Sequence, residues 1–145
     1  MIQTHFNRIK SLVDSYASAS FVVDSTLNFE TRPGKQGYVT GELLFVDGSR
    51  LHFREFLDGE DTIIEKLMYT YHYQNALDDL IFRYDNALHR PRLASPEHKH
   101  SADGIQFVPA PTLDRRSSRS HGISGTTIIA STIRPQTGCA DCWRQ

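Results

Sequence analysis

Through the middle of this chain, large apolar side chains recur at every second position. Leu51, Phe53 and Leu57 fall in step, then Leu67, Tyr69, Tyr71 and Tyr73, then Leu80, Phe82 and Tyr84. A period of two is the signature of an extended strand whose alternate side chains point to opposite faces. Three such runs in succession demand a sheet with one buried face. That face needs a cover, and a chain of 145 residues has to supply it from a single domain.

The cover is legible at the start of the chain. Ile2, Phe6, Ile9, Val13 and Tyr16 are spaced by fours and threes, which places them on one stripe of an amphipathic helix. Phe21 to Glu30 reads as the first strand, with Phe21, Val23, Leu27 and Phe29 on one side, ending at the turn signal Arg32-Pro33-Gly34. Tyr38 to Val46 is the second, joined through Asp47-Gly48 to Arg50 to Leu57 as a tight hairpin. Glu65 to Gln74 and Leu80 to Asn86 make another hairpin across Asn75 to Asp79. The pattern predicts an α+β fold: an N-terminal helix packed on an antiparallel meander of about five strands, with the sheet over about residues 20 to 87. No apolar run approaches the length of a membrane span, so a soluble, cytoplasmic protein with no membrane partner is expected.

The opposite face of that sheet collects His52 and Arg54, then Thr70, His72 and Gln74, then Arg83 and Asp85. Two readings fit it: a solvated face with cross-strand charge pairs, or a polar surface leading into a site. The tyrosines offer a base-stacking alternative, but their parity with Leu67 and Phe82 assigns them to the core. At the end of the last strand and just beyond it lies the densest group of ionisable residues, Asp85-Asn86 and His89-Arg90-Pro91-Arg92, followed by His98-Lys99-His100. Histidine exchanges protons near neutrality and arginine grips phosphate bidentately, so this turn is the candidate site. The geometry predicts that His89, His98 and His100 converge with Arg83 and Asp85 at one end of the sheet. Plainer readings coexist, with Arg83 and Asp85 as an exposed pair and Asp85-Asn86 as a strand-closing turn. An extended His98-Lys99-His100 also suits a metal, but only one other histidine lies nearby and no cysteine, so neither metal nor cofactor is expected.

Beyond Leu93 the character changes. Prolines 96, 109 and 111 interrupt the chain, and Arg115 to Gly125 is rich in Ser, Arg and Gly, which predicts a loosely ordered tail over 114–145 after a domain over 1–113. Up to Leu113 there are 11 basic against 15 acidic residues, a balance of -4, and beyond it 5 against 2, a balance of +3. Thr126 to Ile133 has the composition of a short strand. Cys139-Ala140-Asp141-Cys142 is half a zinc or redox motif and reads as an incidental thiol pair.

The block Tyr71-His72-Tyr73-Gln74, the stretch LIFRYDNALHRPRL, and HKH followed by Asp103-Gly104 resemble the TumE family of small toxins, across about residues 1–113. Family members commonly carry proline at Leu88, and histidine at Arg90 and Glu97; they usually continue into an acidic, Leu-rich terminal helix where Asp114-Arg115-Arg116 stands here. The resemblance implies the toxin component of a toxin-antitoxin pair. By analogy with other small toxins it implies metal-independent RNA cleavage, in which imidazoles exchange the 2'-hydroxyl and 5'-oxygen protons while a cation steadies the phosphate. The candidates for proton work are His89, His98 and His100, oriented by Asp85, with Arg83, Arg90, Lys99 and Asn86 as substrate-binding residues. The implied partners are an RNA substrate and a cognate antitoxin protein, DNA-binding and encoded nearby, whose acidic segment would lie against Arg83, Arg90, Arg92 and Lys99. A non-catalytic module that retains only partner binding is the alternative, favoured by the missing histidines and the altered tail.

Overall fold

The computed structural model describes residues 1–60 and 63–113 of the chain. The tail beyond Leu113, the strand expected at Thr126 to Ile133 and the Cys139/Cys142 pair lie outside the described residues. Helix α1 (Ile2–Ala17) is followed by strands β1 (Val22–Arg32), β2 (Gln36–Phe45), β3 (Arg50–Glu60), β4 (Ile63–Gln74), β5 (Leu80–Asp85), β6 (His98–Ser101) and β7 (Gly104–Gln106). All seven strands pair in chain order as one antiparallel meander.

The α+β expectation holds, with two more strands than the apolar pattern gives. Strands β6 and β7 have only four and three residues, too short for alternation to register, and His98 to Ser101 contains no apolar residue. Their pairing is dictated by the neighbouring edge of β5, where Arg83 lies opposite His100 and Asp85 opposite His98.

The helix packs its stripe of Ile2, Phe6, Ile9, Val13 and Tyr16 onto the sheet, meeting β1, β2 and β3. Val39, Leu43, Leu51, Phe53, Leu57, Tyr69, Tyr71, Tyr73, Phe82 and Tyr84 complete the core from the sheet side. Close approach depends on Gly37, because a Cβ there would stand 2.7 Å from both Ile2 Cγ2 and Phe6 Cζ. The Asp47-Gly48 hairpin forms as expected, with Gly48 at φ +80° and Asp47 Oδ1 accepting from the Ser49 amide at 2.9 Å.

Three expected core residues turn outward, each at a break in register. Val23 is the extra residue of a bulge between Val22 and Asp24 and is exposed, leaving Val22 to pack inward. Leu67 is skipped where Phe56 pairs with Met68 and Leu57 with Lys66, so it faces out and Lys66 turns in. Leu80 is shifted by the irregularity at Tyr73 and Gln74, and Ile81 packs against the core instead. One unpaired residue reverses the faces of everything beyond it, which strict alternation cannot anticipate.

Candidate functional site at the end of the polar sheet face

The face of the sheet remote from α1 is polar, and the registers align its side chains in rows. Glu42 pairs with His52, His52 with His72, His72 with Arg83 and Arg83 with His100, so one row crosses five strands. Five strands at about 4.8 Å spacing make a path of about 19 Å. Glu42 Oε2 lies 2.5 Å from His52 Nε2, and Arg54 Nε donates to Thr70 Oγ1 at 3.3 Å in the neighbouring row. A shallow trough of about 400 Å³ lies on this face, with Thr40, Glu42, His52, Arg54 and Thr70 among its lining residues.

The row ends in a compact cluster. Strand β5 supplies Asp85, β6 supplies His98 and His100 two residues apart on the same face, and the connection between them returns His89 to the strand end. The three imidazole centroids stand 4.6, 5.3 and 4.7 Å apart. His89 Nε2 lies 2.9 Å from His98 Nε2, and His98 Nε2 lies 3.1 Å from Asp85 Oδ1, while His100 Nε2 stands 4.0 Å from Asp85 Oδ2. His98 is fully buried and Asp85 nearly so, whereas the His100 side chain keeps 25% of its exposure.

Both buried members are held by further bonds. His98 Nδ1 meets the Pro96 carbonyl at 2.7 Å, and since a carbonyl only accepts, that nitrogen carries the hydrogen. Asp85 takes Arg83 Nε on Oδ2 at 2.7 Å and the Ala87 amide on Oδ1 at 3.0 Å. Burial lowers the His100 pKa from its ordinary value, and the positive potential of His98, His89 and Arg83 adds to this against the opposing pull of Asp85. An imidazole kept neutral in this way has a lone pair to offer.

Other sequence candidates are placed apart from this cluster. Lys99 points to the opposite face, its ammonium 5.4 Å from the Tyr84 ring centroid and 5.8 Å from that of Phe82, because β6 alternates like any strand. Asn86 is committed to structure: Oδ1 accepts the Tyr69 amide at 3.0 Å and Nδ2 donates to the Leu67 carbonyl at 3.1 Å. Arg90 and Arg92 are exposed on the connection. Glu97 accepts the Ala110 amide at 3.2 Å and so fastens the chain after β7 to the loop before β6.

A second polar cluster escaped the sequence reading. Glu55 is in phase with Leu51, Phe53 and Leu57 and is buried, its oxygens meeting His5 Nε2 at 2.8 Å, Lys66 Nζ at 3.0 Å and the Tyr71 hydroxyl. The available signal was its parity, a carboxylate on the core face of a strand. Burial pushes the Glu55 carboxyl up, but the His5 bond, the Lys66 charge and the Tyr71 hydroxyl together outweigh it and hold it down at about 2. Lys66 also donates to Tyr71 Oη at 2.6 Å and to the Pro111 carbonyl at 3.1 Å, so this network ties helix, sheet and the final described segment together.

No helix among the described residues is long and apolar enough to cross a membrane. No curated protein and no solved structure matches the chain. Residues 9–121 match the family described as toxin TumE, a span that contains the polar rows, the histidine cluster and most of the helix. The chain belongs to the TumE toxin family.

Proposed function

We propose that this protein is the toxin of a toxin-antitoxin pair and that it cleaves RNA at the histidine cluster. The observation that carries the reading is the convergence of His89, His98 and His100 on Asp85, with Arg83 alongside, at the end of a polar row. His98 has both nitrogens engaged, so it serves as a positioning residue. The exchange of protons falls to His89 and His100, the members not fully buried. One accepts the 2'-hydroxyl proton as that oxygen attacks phosphorus, and the other protonates the departing 5'-oxygen, leaving a 2',3'-cyclic phosphate. Arg83 spends one of its five donors on Asp85, and the remainder are available to a phosphate oxygen.

The partner is an antitoxin protein, DNA-binding and encoded nearby, whose acidic segment covers Arg83, Arg90 and Arg92; Lys99, on the other face, is no part of that surface. Such a cover would exclude substrate from the cytoplasmic toxin. Induced expression of the full chain, with and without the neighbouring gene, tests the reading. Growth arrest with RNA fragments ending in cyclic phosphate is expected, lost in a folded His89→Ala variant. Arrest that persists unchanged in His89→Ala would refute the assignment, and a folded parent that neither arrests growth nor cuts RNA would favour the partner-binding module.

A further inference from the structure

The geometry points to a binding site for one divalent transition-metal ion of the zinc class, formed by Asp85, His89, His98 and His100. One ligand atom from each of these four residues lies within 4.8 Å of all the others. A tetrahedral ion with bonds of about 2.0–2.1 Å sets its ligand atoms about 3.3 Å apart. The observed separations run from 2.9 Å between His89 and His98 up to 4.8 Å across the set, with Asp85 meeting His98 through Oδ1 at 3.1 Å and His100 through Oδ2 at 4.0 Å, so the wider pairs draw in by side-chain rotation to complete the site.

The strongest argument is one of lone pairs. Because His98 Nδ1 donates to the Pro96 carbonyl, a neutral His98 ring has no hydrogen on Nε2. Yet that nitrogen faces the carboxylate oxygen of Asp85 on one side and His89 Nε2 on the other, in a position with no solvent exposure to relieve the repulsion. A shared cation, either a proton on Nε2 or a metal ion, makes such a convergence favourable. A single proton satisfies one of these contacts, whereas a metal ion satisfies all of them and takes in His100 as well.

The surroundings match what a bound ion needs. The ligand His98 is aimed by a backbone carbonyl, and the ligand Asp85 by the Arg83 guanidinium and the Ala87 amide, the kind of outer bonds that fix ligand orientation. Three imidazoles and one carboxylate select Zn²⁺ or its neighbours over Mg²⁺ and Ca²⁺, which prefer oxygen ligands. The sequence left such a site incomplete at three histidines; the fold adds Asp85 as the fourth ligand. The claim is one of binding and is tested apart from RNA cleavage; an ion on these nitrogens occupies the lone pairs that the proton chemistry uses, so the two states of the site exclude each other and cleavage through His89 and His100 belongs to the metal-free protein.

The test is a titration of the full chain carrying Cys139→Ser and Cys142→Ser, which removes the thiol pair as a competing zinc ligand. Zn²⁺ is titrated against a chromophoric chelator, and Co²⁺ is added separately as a reporter of coordination geometry. The expected result is one equivalent of Zn²⁺ and an intense tetrahedral Co²⁺ spectrum. His89→Ala and His100→Ala should each weaken Zn²⁺ binding by about 10- to 100-fold or more, while His52→Ala, in the same polar row, binds as the parent does. Circular dichroism confirms that each variant is folded. Absence of saturable binding, affinity unchanged by both cluster substitutions, or the weak spectrum of octahedral Co²⁺ would each overturn the proposal, and none of these readouts depends on RNA cleavage.

Discussion

Replacing Glu55 with glutamine isolates the charge of the buried network without changing the side chain's shape. The carboxyl is held at about 2 against an ordinary value of 4.5, a difference that at about 1.4 kcal/mol per unit favours the folded state by about 3 kcal/mol. The sign follows from the direction of the shift. A carboxyl depressed on folding contributes its full stability above its unfolded value, loses it as pH falls below about 4.5 and has lost most of it by about 2. Urea unfolding followed by circular dichroism at several pH values from 6 to 2 measures this for the parent and for Glu55→Gln. Each carboxylate elsewhere in the chain contributes equally to both proteins, so the difference between the two curves belongs to Glu55. At pH 6 the variant should be less stable, because Lys66, whose side chain is 20% exposed, loses its counter-ion. The gap should close by about 3 kcal/mol as the pH falls. Curves that run parallel through the acid range would show that Glu55 is not held ionised by its neighbours, and the argument for the network would fail.

Two further outcomes follow from packing and from the surface. Gly41→Ala places a Cβ 2.3 Å from Phe53 Cζ, so the ring must leave its buried position at a cost of about 1–3 kcal/mol, read as a lower urea midpoint with unchanged slope. The double variant Arg90→Glu, Arg92→Glu should bind the neighbouring gene product more weakly than the parent in a pull-down, with the parent complex itself weakening as salt rises; undiminished binding places the partner elsewhere.

Much of the architecture was legible because burial writes itself into alternation. The helix stripe from Ile2 to Tyr16 and the strand faces carrying Phe53, Tyr71, Tyr73, Phe82 and Tyr84 are local patterns, and the core contains each of them. The family was legible for a related reason, since LIFRYDNALHRPRL and HKH are read in order along the chain without reference to any contact, and both lie inside the matched span. What stayed hidden was non-local. A bulge opposite Phe56 and Leu57 depends on how two strands settle against each other, and it alone turned Leu67 outward and brought Lys66 to Glu55. The roles open to Lys99 and His100 likewise separated only through strand alternation in β6, a four-residue element with no hydrophobic signature. The sequence by itself determined that a helix covers one face of an antiparallel sheet and that histidines crowd its far end. Only the tertiary structure decided that Asp85 is buried against these rings, that His98 is fully buried with both nitrogens in contact, and that Glu55 is an anchor, because those facts depend on distances between residues that the chain order keeps apart.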